Sequence, residues 1–209
     1  MPDCVEYTIS FEDEILEIKE ILELSLNIIF FHRYLGNNNY EETQSKLNNI
    51  SYVKVKNQKL SNILTNNINE IENNFKNSNQ YAQKLSLYFY EKEKNKKDLK
   101  NPWEIWNFIL ILSKKEEIKD KNDLNNKISE LDDDKENKIR KYIFKIIEKL
   151  NDKENYMPNI NINDNCLDEE TFSHTIKIDK ISTKEDYLSL LNHFIKKNQE
   201  NVIVINHLL

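Results

Sequence analysis

The chain has 209 residues, a formal net charge of −6, 38% hydrophobic and 32% charged residues, one glycine and two cysteines. That length fits one domain, or a domain and an appendage, and a single glycine excludes a Gly-rich phosphate loop. Lysines and acids are interleaved, which reads as a solvated surface and argues against a nucleic-acid partner.

Cys4 and Cys166 lie far apart, which fits a reducing compartment without a disulfide framework. There is no N-terminal apolar h-region and no run of about 18 apolar residues, so a cytosolic protein without a transmembrane segment is expected. The excess of Asn, Lys and Ile reads as a base-composition bias, so single asparagines carry little functional weight.

In chain order, Val5, Tyr7, Ile9 and Phe11 alternate with polar residues, which predicts a half-buried strand over Cys4–Phe11. From Glu12 to Tyr34 the spacing turns helical. Ile15, Ile18, Leu22 and Ile29 form one stripe, and Ile21, Leu24, Ile28 and Phe31 widen it until the second half is apolar almost all round. Such a helix is enclosed by protein. Gly36 stands just past its end, where a left-handed cap would be needed. Asn37–Asn49 is polar and reads as a loop. Ser51–Lys56 predicts a short strand, and Leu60, Ile63, Leu64, Ile68, Ile71 and Phe75 mark an amphipathic helix.

Leu85, Leu87 and Phe89 alternate with Ser86, Tyr88 and Tyr90 in another strand, followed by the charged loop Glu91–Lys100. Pro102 then blocks a helix from running in. Trp103–Leu112 is rich in aromatic and β-branched residues, which favour strands. Trp103, Ile105, Ile109 and Ile111 fall on one face with Asn107, and Trp106, Phe108, Leu110 and Leu112 on the other. A strand apolar on both faces belongs in the middle of a sheet, and it pairs with its predecessor as an antiparallel hairpin. A buried helix is the rival reading.

Lys114–Asp134 is helical or irregular. Lys135–Leu150 is a clean helix with Ile139, Tyr142, Ile143, Ile146, Ile147 and Leu150 on one face. Pro158 ends any continuation, and Asn159–Asp168 is a polar linker. Phe172–Ile178 predicts a strand, Lys184–Lys197 an amphipathic helix and Val202–Ile205 a last short strand. The order β-α-β-α-β-β-α-β-α-β gives an α+β fold: a mainly antiparallel sheet with helices against it.

No catalytic constellation stands out. His32, His174, His193 and His207 share no metal-ligand spacing with one another or with a cysteine, and no cofactor or metal is implied. Asp132, Asp133 and Asp134 read as acids complementing a helix N-terminus. Lys94, Lys96, Lys97 and Lys100 form a basic loop, either solvated or a surface for an anionic partner.

Several blocks together resemble the autophagy-related protein 101 family, HORMA-domain subunits of the autophagy-initiation kinase complex. They are Phe31-His32-Arg33 with Gly36 and Tyr40, Ser51–Val55, Leu85–Tyr90 with its Lys-rich loop, Pro102–Trp106, and Ile146–Glu148 through Asn155–Pro158. The most specific is Pro-Trp-Glu-Ile-Trp after Leu-Ser-Leu-Tyr-Phe-Tyr. The resemblance runs in order over Phe11–Ile178. It implies a HORMA-like domain over residues 1–180, with three main helices on one face of the sheet, and a C-terminal helix and strand extension over 181–209 packed on it.

It also implies a non-enzymatic scaffold that pairs with and stabilises the HORMA domain of autophagy-related protein 13, in the cytoplasm and at the phagophore assembly site. Membrane association would come only through partners. The family's protruding Trp-Pro-Phe finger is missing: Lys94 and Lys96 stand at its positions, and Leu99 is the nearest apolar residue. Lys94, Lys96, Lys97 and Leu99 are thus a candidate recruitment loop without the finger.

HORMA pairing through the third helix would centre on Phe144, which points away from that helix's apolar face, flanked by Arg140, Lys141 and Glu148. The other reading covers Phe144 with the Lys114–Asp134 segment. Two alternatives remain at this level. One is a HORMA-type peptide-binding adaptor of another pathway, checkpoint or chromosome axis. The other is an enzyme whose site assembles only in space.

Overall fold

A computed structural model describes residues 4–34, 39–45, 50–77, 80–91, 101–113, 124–152, 173–197 and 202–205, with backbone alone at 124–135, 138, 197 and 202–205. Eleven elements follow one another: β1 Val5–Asp13, α1 Ile15–Arg33, β2 Tyr40–Gln44, β3 Ser51–Val55, α2 Gln58–Asn77, β4 Ala82–Tyr90, β5 Glu104–Leu112, α3 Leu124–Leu150, β6 Ser173–Ile181, α4 Lys184–Lys197 and β7 Val202–Ile205.

β5 is the middle of a five-stranded sheet ordered β6-β4-β5-β1-β7. It is covered on both faces, as its doubly apolar pattern requires. Trp106, Phe108 and Leu110 enter one core with Tyr7, Ile9 and Phe11 of β1 and Leu85, Leu87 and Phe89 of β4. α1, α2 and α3 close that core through residues such as Leu22, Ile29, Leu64, Ile71, Tyr142 and Ile146. On the reverse face Ile109 and Ile111 join Ala82, Ile181, Tyr187 and Phe194, so α4 forms a second, smaller layer. The layout is α+β and HORMA-like: three helices on one face, and a C-terminal helix and strand added to the same sheet.

Local chemistry sets the helix starts. Asn57 caps α2 by accepting the Leu60 N–H on its Oδ1 at 3.0 Å. Thr183 and Asp186 cap α4 reciprocally: the Asp186 N–H donates to Thr183 Oγ1 at 3.1 Å and the Thr183 N–H to Asp186 Oδ2 at 3.2 Å.

The sheet is mixed where a mainly antiparallel one was expected. β4 pairs antiparallel with β5 and with β6, while β1 runs parallel to both β5 and β7. Alternation within a strand fixes its two faces and says nothing about its partner's direction. β1 also runs on to Asp13 and is not half-buried: Thr8 and Ser10 are as enclosed as Ile9. Ser10 Oγ and the Tyr187 hydroxyl of α4 share a hydrogen bond at 3.2 Å, which satisfies one of these polar groups.

Residues Tyr40–Gln44 within the expected loop are a strand, paired antiparallel with β3. Trp103 lies just outside β5 and escapes its alternation. Its N–H donates to Phe89 O at 3.0 Å, its carbonyl accepts from the Val5 N–H at 3.1 Å, and its ring is buried on the α1–α3 side. α3 begins at Leu124, so Asp132, Asp133 and Asp134 lie inside the helix and not at its start. Gly36, Pro158 and the linker Asn159–Asp168 lie outside the described residues.

Candidate protein interface

α3 holds to the domain by one stripe. Ile139, Tyr142, Ile143, Ile146 and Leu150 recur at spacings of three and four and are all buried. Tyr142 meets Phe11 of β1 edge-on at 5.8 Å, and its hydroxyl bonds Ser25 Oγ of α1 at 3.2 Å. Burial pushes the Tyr142 hydroxyl well above its usual range, against the smaller opposing effect of Ser25, so it stays protonated throughout physiological pH.

The last carbonyls of α3, which have no partner within the helix, are taken up by the rest of the fold. The Tyr7 O–H donates to Lys149 O at 3.5 Å, and Arg33 Nη1 to Leu150 O at 3.4 Å.

Arg33 does more than this. Its Nε and Nη2 each donate to a separate oxygen of Glu104, both at 2.7 Å, with the two side chains 2% and 1% exposed. The guanidinium also lies 5.7 Å from the centre of the Trp103 ring. One buried two-point ion pair therefore joins the end of α1, the start of β5 and the end of α3. Sequence reasoning misses it. The available signal is a lone acid opening a run apolar on both faces, and a lone base closing a helix enclosed all round.

With its inner stripe and its C-terminus fixed, α3 presents the opposite face to solvent. Phe144 is 68% exposed, the most exposed large apolar side chain among the described residues. Arg140, Lys141 and Glu148 are exposed around it on the outer turns. Of the preceding segment read as a possible cover for Phe144, residues from Leu124 onward continue the same helix, and residues 114–123 lie outside the described ones. Arg140 reaches back to Glu136, with Nε at 2.8 Å and Nη2 at 2.7 Å from Oε1. Exposed i,i+4 pairs of this kind contribute only about 0.3–0.5 kcal/mol, so the pair is easily exchanged for an intermolecular one.

A second, smaller exposed group lies on the β2–β3 hairpin at Tyr40 and Val53. Tyr40 packs edge-on to Phe31 at 5.1 Å and donates from its hydroxyl to Tyr34 O at 3.2 Å. On the hairpin's other face, Tyr52 is buried against α1. Burial first, then the nearby carboxylates Glu23 and Glu20, raise its hydroxyl above the usual range.

Of the remaining candidates, Lys94, Lys96, Lys97, Lys100, Leu99, Cys166 and His207 lie outside the described residues. The base of the candidate recruitment loop is held by the Trp103–Phe89 hydrogen bond. His32 Nδ1 sits 2.9 Å from Ile28 O, His174 packs edge-on to Phe30 at 4.9 Å, and His193 is exposed. Among the described residues no group of three or more His, Cys, Asp or Glu is placed to hold a metal ion. Likewise no helix there is long and apolar enough to cross a membrane.

A two-faced sheet with three helices on its main side and a helix and strand added at its C-terminal end describes a protein of the HORMA-like α+β class. The family model for Autophagy-related protein 101 matches residues 11–164, and the chain belongs to that family. The match runs from the middle of β1 to beyond α3 and leaves β6, α4 and β7 outside. A comparison with curated proteins finds no match.

Proposed function

We propose that this autophagy-related chain is a non-catalytic adaptor of the autophagy-initiation kinase complex. It pairs through the outer face of α3 with the HORMA domain of autophagy-related protein 13 and stabilises it. The observation that carries this is Phe144, 68% exposed on a helix whose opposite stripe, Ile139, Tyr142, Ile143, Ile146 and Leu150, is buried. Interface energy concentrates in a few aromatic and arginine residues set in a rim of polar ones, and Phe144 with Arg140, Lys141 and Glu148 has that make-up.

In this reading residues 1–180 are the HORMA-like unit and 181–209 an extension packed on its reverse face. The loop containing Lys94, Lys96, Lys97 and Leu99 offers a basic recruitment surface in place of an aromatic finger. The adaptor works in the cytoplasm at the phagophore assembly site and reaches membranes through its partners.

The test is co-purification of the full chain with the HORMA domain of autophagy-related protein 13. A one-to-one complex supports the reading. A short captured peptide in its place would favour a peptide-binding adaptor, and a chain that ignores the partner domain would overturn the proposal.

A further inference from the structure

Glu41 and Glu42 stand side by side in β2, and the fold treats them differently. Glu41 pairs with Lys54 of β3 at 3.1 Å, while Glu42 is exposed and has no ion pair or hydrogen bond among the described residues. The backbone divides in the same way. The Ser45 N–H donates to Ile50 O at 2.8 Å and the Lys56 N–H to Asn39 O at 2.7 Å, at the two ends of the β2–β3 register. Bonded pairs alternate along an antiparallel ladder. Glu41 and Thr43 therefore turn their N–H and C=O groups towards β3, and Tyr40, Glu42 and Gln44 turn theirs the other way. On that side no strand is paired with β2 among the described residues.

We propose that this open edge of β2 takes an extended segment of a partner protein as a third, antiparallel strand, with a Lys or Arg opposite Glu42 and a β-branched residue opposite Tyr40. Backbone groups offered at every second residue fit an extended chain, and the side chains beside them choose its composition. Residues opposite Tyr40, Glu42 and Gln44 place their side chains on the face that these three share with Val53. A base there meets the free carboxylate of Glu42. An apolar side chain lies against the exposed Tyr40, which Phe31 and the hydroxyl bond to Tyr34 O hold in place. β3 sets the precedent on the inner edge, where Lys54, between Val53 and Val55, serves Glu41.

A second copy of the chain is the wrong occupant. In the full-length antiparallel overlap of two β2 strands Glu42 faces Glu42, and like charges directly opposite each other destabilise a pair of strands. One carboxylate thus guards the edge against self-pairing and admits a basic strand. The edge belongs to the β2–β3 hairpin and not to α3, so a partner held here is independent of pairing through that helix.

The experiment is titration of the full chain with the synthetic peptide acetyl-Gly-Thr-Thr-Lys-Thr-Val-Gly-amide, with amide hydrogen exchange read residue by residue by NMR. Bound peptide protects the Tyr40, Glu42 and Gln44 amides, while those of Glu41 and Thr43, already bonded to β3, change less. Methylating the backbone nitrogen of the peptide's lysine, which donates across to Glu42, abolishes binding. Putting Glu in place of that lysine weakens binding at least about threefold. Glu42→Lys reverses the preference, so that the Glu peptide becomes the tighter of the two.

No binding at millimolar peptide would overturn the proposal and leave Glu42 as a guard alone. Binding that survives backbone methylation, or that protects no alternate amides, would reduce it to plain charge attraction and overturn it equally. So would an unchanged preference in Glu42→Lys. Protection of the Tyr40, Glu42 and Gln44 amides in the free chain would assign the edge to another segment of the chain, and protection rising with protein concentration to a second copy. Either result contradicts a partner strand.

Discussion

Removing one member of the Arg33–Glu104 pair should be far more damaging than removing both. Each side chain is about as enclosed as any in the core, at 2% and 1% exposure, and the carboxylate is held at both oxygens at 2.7 Å. Glu104→Met leaves a guanidinium buried beside Trp103 with only the longer bond to Leu150 O. Stranding a buried charge in this way costs about 3–5 kcal/mol, whereas exchanging a whole buried pair for apolar residues of similar volume is often neutral. Domains of this size are stable by about 5–15 kcal/mol in total, so the single variant loses a large share of its stability.

The assay is urea unfolding of wild type, Arg33→Met, Glu104→Met and the double variant, followed by circular dichroism with m held common. Each single variant should fall by about 3–5 kcal/mol and the double by less than either. If Glu104→Met cost under about 1 kcal/mol, or the double variant cost the sum of the singles, the pair would not be the bolt between α1, β5 and α3.

Three further outcomes follow from the same geometry. Ile146→Ala opens the fully buried side of α3 and should cost about 2–5 kcal/mol in urea unfolding, while Phe144→Ala, on the exposed side, should stay within about 0.5 kcal/mol of wild type. Glu72 of α2 accepts from Lys19 of α1 and, at 2.7 Å, from Lys76, and these hydrogen bonds, Lys19's first, lower its carboxyl to about 2. A folded-state value below the unfolded one means the stabilisation is complete above about pH 4.5 and lost as pH falls towards about 2, so Glu72→Gln should flatten the acid limb of a stability-against-pH curve in that window. Asn107, 2% exposed in the middle of β5, accepts from Ser86 at 2.7 Å and donates to Glu6 at 2.9 Å, so Asn107→Ala, which removes two hydrogen bonds, should lower the midpoint of thermal unfolding more than Ser86→Ala, which removes one of them.

How far the fold is legible depends on whether each element carries its own signal. β5 announces a central strand because both its alternating sets are apolar, and the structure buries both. α2 and the second half of α3 show their stripes at helical spacing. β2 carries no such mark: Tyr-Glu-Glu-Thr-Gln has no apolar alternation, and its strand conformation comes from pairing with β3, including the Glu41–Lys54 ion pair at 3.1 Å. The first ten residues of α3 are hidden by dense charge and sparse isoleucines and leucines. β1 reads as half-buried because Thr8 and Ser10 look solvent-facing until β7 is paired beside β1 and α4 is packed on the reverse face of the sheet. Of the candidate interface, the outward position of Phe144 is readable from the helix period alone. The buried Arg33–Glu104 pair is not, because it joins residues 71 apart in sequence and charge at such positions ordinarily signals surface.

The central claim is that the outer face of α3 is where the partner is held. Calorimetric titration of the full chain with the HORMA domain of autophagy-related protein 13 tests it most directly, on wild type, Phe144→Ala and Arg140→Glu, with thermal unfolding of each variant alongside. The account predicts folded variants whose affinity falls by about 2 kcal/mol or more for Phe144→Ala. Unchanged affinity in both folded variants would remove α3 from the interface and contradict it.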